Sequence, residues 1–272
     1  MIVFPNCKIN LGLHILRKRE DGYHDLQTVF YPLALKDALE VVRHTAPLTD
    51  IEYSSSGLPV QGDLADNICL KAYHLLKQDF RDLPPVKLHL HKTIPMGAGL
   101  GGGSADGAFT LLLLNQKFNL GLSEESLLQY ALQLGSDCPF FIRNRPCFAS
   151  GRGEKMEDLP LDLSPYNFVL INPGIHVNTG WAFSQIRPSD KKPSLKDIVQ
   201  LPPTEWKDRL TNDFEAPVTT QHPEIGAITT TLYEKGAIYA AMTGSGSTVF
   251  GLFPKDVKPA FTFPTHYFVS LV

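Results

Sequence analysis

Pro95-Met96-Gly97-Ala98-Gly99-Leu100-Gly101-Gly102-Gly103-Ser104-Ala105-Asp106-Gly107-Ala108 carries more structural information than any other stretch of this sequence. It places five glycines in the seven positions from Gly97 to Gly103. Apolar alternation precedes it (Val86, Leu88, Leu90), and apolar residues at helical spacing follow (Ala108, Leu111, Leu112). The pattern predicts a strand, a glycine-rich loop and a helix. Such a loop sets backbone N–H groups at a helix N-terminus, where the dipole and the unbonded donors favour an anion, usually a phosphate. Glycine serves there because side chains would hold phosphate oxygens off the backbone, and because tight loops need positive φ. A flexible connection is the plain alternative, but glycine this dense costs stability unless something requires it.

Three common phosphate loops do not fit. Gly97-x-Gly99-x-x-Gly102 matches the dinucleotide fingerprint formally. A dinucleotide fold, however, needs a second strand ending in an acidic residue roughly 20 positions on. Ser123 to Leu134 reads instead as another helix. A Walker A loop would end in Gly-Lys-Ser/Thr, whereas Gly103-Ser104 stands here without a lysine. The His-Arg-Asp and Asp-Phe-Gly signatures of protein kinases are missing too.

The chain has 272 residues, enough for two domains. With 43% hydrophobic and 19% charged residues it has the composition of an ordinary globular protein. A net charge of −3 gives no basic footprint, so neither nucleic acid nor an anionic membrane is an expected partner. Cys7, Cys69, Cys138 and Cys147 are scattered without metal-type spacing, which suggests reduced thiols in a cytoplasmic protein and no dedicated metal site. Cys138, beside Asp137, reads as a packed small residue rather than a nucleophile. No run approaches the ~18 apolar residues of a membrane span, and Met1 to Lys8 lacks the charged and apolar regions of a secretory leader.

Strands are expected at residues 7–16, 27–31, 38–43 and 86–93, with helices following Asp66 (as N-cap), Ser104 and Ser123. Gly151-Arg152-Gly153-Glu154 reads as a loop near a domain junction. Beyond it come a strand at 168–172, a polar stretch at 187–203 and a helix near 223–235. Two apolar strands, 237–242 and 248–253, flank Thr243-Gly244-Ser245-Gly246-Ser247. This mixed order predicts an α+β architecture.

Several weaker signals accompany the loop. Lys8 and Asn10 share the polar face of an amphipathic strand, which could equally be a solvated face. Asp137, in Gly135-Ser136-Asp137-Cys138-Pro139-Phe140, is expected on a turn between a helix and an apolar strand. It is either a candidate general base or a turn aspartate bonded to its own backbone. Asp21-Gly22-Tyr23-His24 is a hairpin signal that needs no function to explain it. The Thr243–Ser247 turn contacts phosphate or is simply tight.

Together these segments resemble the GHMP small-molecule kinases. The match covers Lys8-Ile9-Asn10, Asp21-Gly22-Tyr23-His24, the loop from Pro95 to Ser104 and the Gly135–Phe140 turn, in order, and runs on to Phe253. Lys8-Ile9-Asn10 combined with Asp21-Gly22-Tyr23-His24 is similar to the branch whose substrate carries a cytidine diphosphate. The resemblance implies a two-domain α+β fold, with an N-terminal α/β nucleotide-binding domain over 1–153. A smaller C-terminal α+β domain with an antiparallel sheet follows over 154–272, and the active site lies in the cleft between the two.

The resemblance also implies roles. ATP, with magnesium, would lie with its phosphates along Pro95 to Ala105, and Asn67 and Lys92 would contact its adenosine end. Asp137 would take the proton of the substrate hydroxyl, with Lys8 beside it. Tyr23 would stack on the cytosine, His24 would hydrogen-bond it and Phe183 would close its other face. Asn10 and Thr179 would hold the polar part of the substrate, and Gly244, Ser245 and Gly246 would close over the phosphates. A monomer or weak dimer is expected. Ala105 stands where the family usually has Ser and Gly107 where it has Ala, while Asn6-Cys7 replaces Pro-Ala. Gly107 is expected to cost about 1 kcal/mol relative to Ala.

Overall fold

The computed structural model describes residues 1–45 and 48–272. In chain order the elements are β1 (Ile2–Val3), β2 (Asn6–Lys18), β3 (His24–Lys36), β4 (Ala38–Arg43) and β5 (Ile51–Gly57). Then come α1 (Ile68–Asp79), β6 (Val86–Lys92), α2 (Gly102–Phe118), α3 (Glu124–Leu134), α4 (Cys138–Arg143), β7 (Cys147–Gly151) and β8 (Lys155–Asp158). The last part holds β9 (Tyr166–Asn172), α5 (Thr179–Gln185), α6 (Leu195–Ile198), α7 (Glu215–Gln221), α8 (Pro223–Glu234), β10 (Tyr239–Met242), β11 (Val249–Pro254) and β12 (Phe268–Leu271).

These elements form two compact units that do not divide at one point of the chain. The first comprises Met1–Cys7, Ala34–Met96 and Gly101–Arg145. The second comprises Lys8–Leu33, Gly97–Leu100 and Pro146–Val272. The units interleave along the chain: the β2–β3 hairpin and four loop residues group with the later segment. The turn at 151–154 links β7 to β8 inside the second unit, shortly after the boundary at Arg145–Pro146.

In the first unit a four-stranded sheet runs β1-β4-β6-β5, with β5 parallel to β6. Strand β6 buries Val86, Leu88 and Leu90 at period two, and Lys92 continues the same face. Helix α2 packs against α1, α3 and α4 and is buried nearly all round, which its run Leu111–Leu114 and its small residues allow. Gly107 has a packing reason: a Cβ there would meet Ile68 Cγ1 of α1 at 2.7 Å. The expected helix cost is therefore offset by a close α1–α2 approach that Ala would disturb.

Two local expectations are corrected here. Asn67, not Asp66, caps α1, its side chain accepting from the N–H groups of Cys69 (2.9 Å) and Leu70 (3.4 Å). The segment after Asp137 is the helix α4 rather than a strand. Pro139 lies in its first turn, where a missing N–H and a fixed φ suit helix initiation.

The second unit contains two antiparallel sheets, β2-β3-β7-β8 and β10-β11-β9-β12. Leu13 and Ile15 of β2, Val169 and Ile171 of β9, and Ile225, Ile228 and Leu232 of α8 form one hydrophobic core. With antiparallel sheets segregated from the helices, the α+β reading holds.

Candidate active site

In the first unit, the glycine run ends at the N-terminus of α2. The helix makes its first internal bond from Ala105 N to Gly101 O, so the N–H groups of Gly102, Gly103 and Ser104 precede the ladder. The N-cap, Gly101, has no side chain to satisfy them. Beside this turn lies a cavity of about 500 Å³ whose walls include Tyr53, Asn67, Ile68, Lys92, Met96 and Ser104. Its size and mixed lining suit a nucleoside.

Asn67 and Lys92 both reach that cavity, yet each has a structural task. Asn67 spends its side-chain oxygen on the α1 cap. Lys92 Nζ, 1% exposed, donates to Asp37 Oδ2 at 2.5 Å and to Asp106 Oδ2 at 2.8 Å. Asp37 in turn accepts from Thr93 N (2.6 Å) and Ile94 N (2.9 Å) through its other oxygen. Burial disfavours the Lys92 ammonium, but the two carboxylates outweigh it and hold its pKa above the ordinary value. Burial, helped by the charge of Asp37, pushes the Asp106 carboxyl up to about 7 against the pull of Lys92. This triad ties the first turns of α2 to the end of β6. Asp37 and Asp106 had no signal in the sequence, since their partners lie 55 and 14 residues from them.

Asp137 occupies the N-cap position of α4, and its side chain does not cap that helix. Neighbouring Cys138 is buried, and burial pushes its thiol up to about 12, so it is a packed residue and no nucleophile.

In the second unit, Lys8 and Asn10 project together from β2. Lys8 Nζ donates to Asn10 Oδ1 at 2.6 Å and stands 4.9 Å from the centre of the Phe30 ring. Asn10 Nδ2 donates to Thr28 Oγ1, and Asn10 N to Thr243 Oγ1, both at 2.9 Å. The polar face of this strand is buried rather than solvated: Lys8 is 4% and Asn10 2% exposed.

Gly97–Leu100 is held through its carbonyl oxygens. Thr248 N donates to Ala98 O (3.3 Å), Thr243 Oγ1 to Gly99 O (3.2 Å) and Lys8 N to Leu100 O (2.9 Å). Gly99, at φ +77°, permits this approach, because a Cβ there would lie 2.1 Å from Thr243 O. The Gly244–Gly246 turn thus meets the glycine loop, and Thr179 joins it through a 3.0 Å bond to Ser245. Asn212, which the sequence reading passed over, fixes the same turn by donating to Met242 O and Gly244 O at 2.8 Å each. A lone asparagine between unremarkable residues gave no hint of that.

Two of the three aromatic residues pack together. His24 and Phe183 stack at 4.6 Å with planes 17° apart. Burial, with the charge of Lys18, holds His24 below its ordinary pKa, so the imidazole is neutral at neutral pH. Tyr23, half exposed, carries the Arg152 guanidinium 3.7 Å from its ring centre.

Comparison with known families decides among phosphate-binding folds. Residues 67–145 match the GHMP kinases N terminal domain, and residues 194–261 match the GHMP kinases C terminal. The chain belongs to the GHMP kinase family. Among its GHMP relatives, the 4-diphosphocytidyl-2-C-methyl-D-erythritol kinase of Bacteroides fragilis is 54% identical over 95% of this chain and 94% of its own. The enzyme of that name from Azobacteroides pseudotrichonymphae is 49% identical over 99% of this chain and 100% of its own. A crystal structure of 4-(cytidine 5'-diphospho)-2C-methyl-D-erythritol kinase is 32% identical and superposes with a TM-score of 0.77, covering 93% of this chain and 90% of that one. The mevalonate kinase of Methanococcus jannaschii, at 13% identity and a TM-score of 0.70 over 94% and 92%, shares the GHMP fold.

Proposed function

We propose that this GHMP kinase transfers the γ-phosphoryl group of ATP to the 2-hydroxyl of 4-diphosphocytidyl-2-C-methyl-D-erythritol. The products are the 2-phosphate and ADP, in the non-mevalonate route to isopentenyl diphosphate. The observation that carries this reading is identity of 47–54% along nearly the whole chain to kinases of that name.

The site chemistry is consistent with it. ATP would place its adenosine in the cavity beside α2 and its phosphates on the N–H groups of Gly102, Gly103 and Ser104. Holding Gly97–Leu100 by its carbonyls lets the opposite edge of that loop serve an anion as well. Asp137 would take the proton from the 2-hydroxyl as the oxygen attacks the γ-phosphorus and the bond to ADP breaks. Lys8, oriented by Asn10 Oδ1, would hold that hydroxyl and offset charge on the transferring group. Among the described residues no three His, Cys, Asp or Glu side chains form a metal cage, while the Ser104 hydroxyl lines the cavity. A magnesium ion arriving with ATP would have Ser104, at the wall of that cavity, as its protein contact. Bound there, the ion would neutralise charge on the β- and γ-phosphates. No helix among the described residues is long and apolar enough to cross a membrane.

Tyr23, His24 and Phe183 give the reading its selectivity: a pyrimidine needs an aromatic slot and an acyclic alcohol does not. Base stacking on an aromatic side chain is worth ~1–3 kcal/mol. Phe183→Ala is accordingly expected to raise KM for the cytidylyl substrate about fivefold to a hundredfold, with KM for ATP unchanged. An unaltered KM for the cytidylyl substrate in steady-state kinetics would contradict the slot.

A further inference from the structure

The turn Gly151-Arg152-Gly153-Glu154 has no part in the chemistry above, yet it is built to a fixed shape. Gly151 (φ +70°) and Gly153 (φ +110°) flank Arg152 in the left-handed region. Glu154 folds back so that its carboxylate accepts from Arg152 N at 2.6 Å. Strand pairing sets the turn in place: Gly151 lies opposite Leu26, at the start of β3, next to Tyr23 and His24. The product of this geometry is the guanidinium of Arg152 over the Tyr23 ring, 3.7 Å from its centre. That spacing is one of close cation–π contact.

Two neighbouring cations are ion-paired to the acids around this turn. Arg19 binds Asp21 at 2.8 Å and Asp25 at 3.1 Å, and Arg17 binds Asp25 at 2.5 Å. Asp21 Oδ1 also accepts from Tyr23 N at 3.1 Å, so the backbone under the ring is held from this side. The ring is half exposed, and the Arg152 guanidinium is laid on it.

We propose that Arg152 is a positioning residue for recognition of the cytosine. It acts through Tyr23, bracing one face of the phenol ring so that the other is presented to the base. This inference rests on the reading of Tyr23 as a stacking residue for a cytidylyl substrate. A braced ring loses less side-chain entropy when the base docks, which strengthens binding without touching the phosphoryl-transfer step.

A double-mutant cycle on the full chain tests the idea. KM and kcat for 4-diphosphocytidyl-2-C-methyl-D-erythritol, KM for ATP and binding of cytidine 5'-diphosphate by calorimetry are measured for the wild type, Arg152→Ala, Arg152→Lys, Tyr23→Ala and the Tyr23→Ala/Arg152→Ala pair. Arg152→Ala is expected to raise KM for the cytidylyl substrate about three- to fivefold, the range of a partly exposed cation–π contact, with kcat and KM for ATP unchanged. Arg152→Lys should recover most of the loss, and Arg152→Ala should add nothing once Tyr23 is Ala. An equal effect in both backgrounds, no effect in either, or a loss confined to kcat would overturn the role given to Arg152. A melting temperature for each variant separates these outcomes from misfolding, with Arg152→Lys as the conservative control. If the wild type itself binds no cytidine 5'-diphosphate, the substrate reading fails first and the cycle falls with it.

Discussion

Asp137→Asn should lower kcat by about 10²–10⁴, the range expected when a general base is lost, while leaving the melting temperature near that of the wild type. The expectation follows from where the residue stands. Asp137 opens the helix α4 without capping it by its side chain, so helix initiation does not depend on the carboxylate. Pro139 in the first turn and the buried Phe140 and Phe141 anchor the helix instead. Asparagine keeps the shape but is no base, and the 2-hydroxyl would then have to surrender its proton to solvent. Because the lost interaction belongs to the transition state, KM for both substrates should change little. Turnover at the wild-type rate would remove Asp137 from the mechanism. A drop in kcat matched by a large fall in melting temperature would make the effect structural.

Lys92→Met should produce the largest loss of stability of any single side-chain change near the cavity beside α2. The substitution keeps the apolar stem and removes the ammonium that lies between Asp37 and Asp106. The side chains of the two acids are 0% and 3% exposed, so no water takes its place. Breaking a buried ion pair by deleting one partner costs about 3–5 kcal/mol, because the remaining charge stays desolvated. Denaturant unfolding checks the size, and its pH dependence checks the cause. In the wild type the Asp106 carboxyl lies at about 7, above its unfolded value of 3.8. Its own contribution therefore favours folding at low pH and is lost as pH rises through about 7. Without Lys92 that carboxyl binds its proton more tightly still. The deficit of the variant should accordingly shrink as pH falls through about 7. A deficit that is absent, or that grows on acidification, would contradict the triad. Since α2 is attached to β6 through Asp106, KM for ATP should rise in whatever fraction folds.

Fold class and the glycine loop were legible where local chemistry is strong. The Gly97–Gly103 run, the alternation of β6 and the Asp21-Gly22 turn each state their structure within about ten residues, and each stands where the sequence puts it. Strand β5 was not legible: the alternation of Ile51 and Tyr53 with Glu52 and Ser54 stops at once in Ser55-Ser56-Gly57. It forms because β6 beside it offers a parallel edge, with Ile51 opposite Val86 and Gly57 opposite Lys92. An apolar strand is expected after Asp137, but Pro139 stands in a first turn, where proline starts a helix. The division into units was hidden for a different reason. Contacts between β2, β3 and residues 146–272 depend on tertiary pairing that no local pattern encodes. Lys8, Tyr23, His24 and the loop were proposed as site residues from the family resemblance. The bonds that orient them (Asn10 to Thr243, Asn212 to Gly244, Lys92 to Asp37) span between 32 and 233 residues and emerged only with the fold.

The central claim, phosphorylation of a cytidylyl alcohol at the expense of ATP, is tested most directly by a coupled ADP-release assay. The purified chain is given magnesium and ATP with 4-diphosphocytidyl-2-C-methyl-D-erythritol, mevalonate, homoserine or no acceptor. ADP release with the cytidylyl substrate alone is the expected result. Release with mevalonate or homoserine in its place, or none with any acceptor from protein that binds ATP, would contradict it.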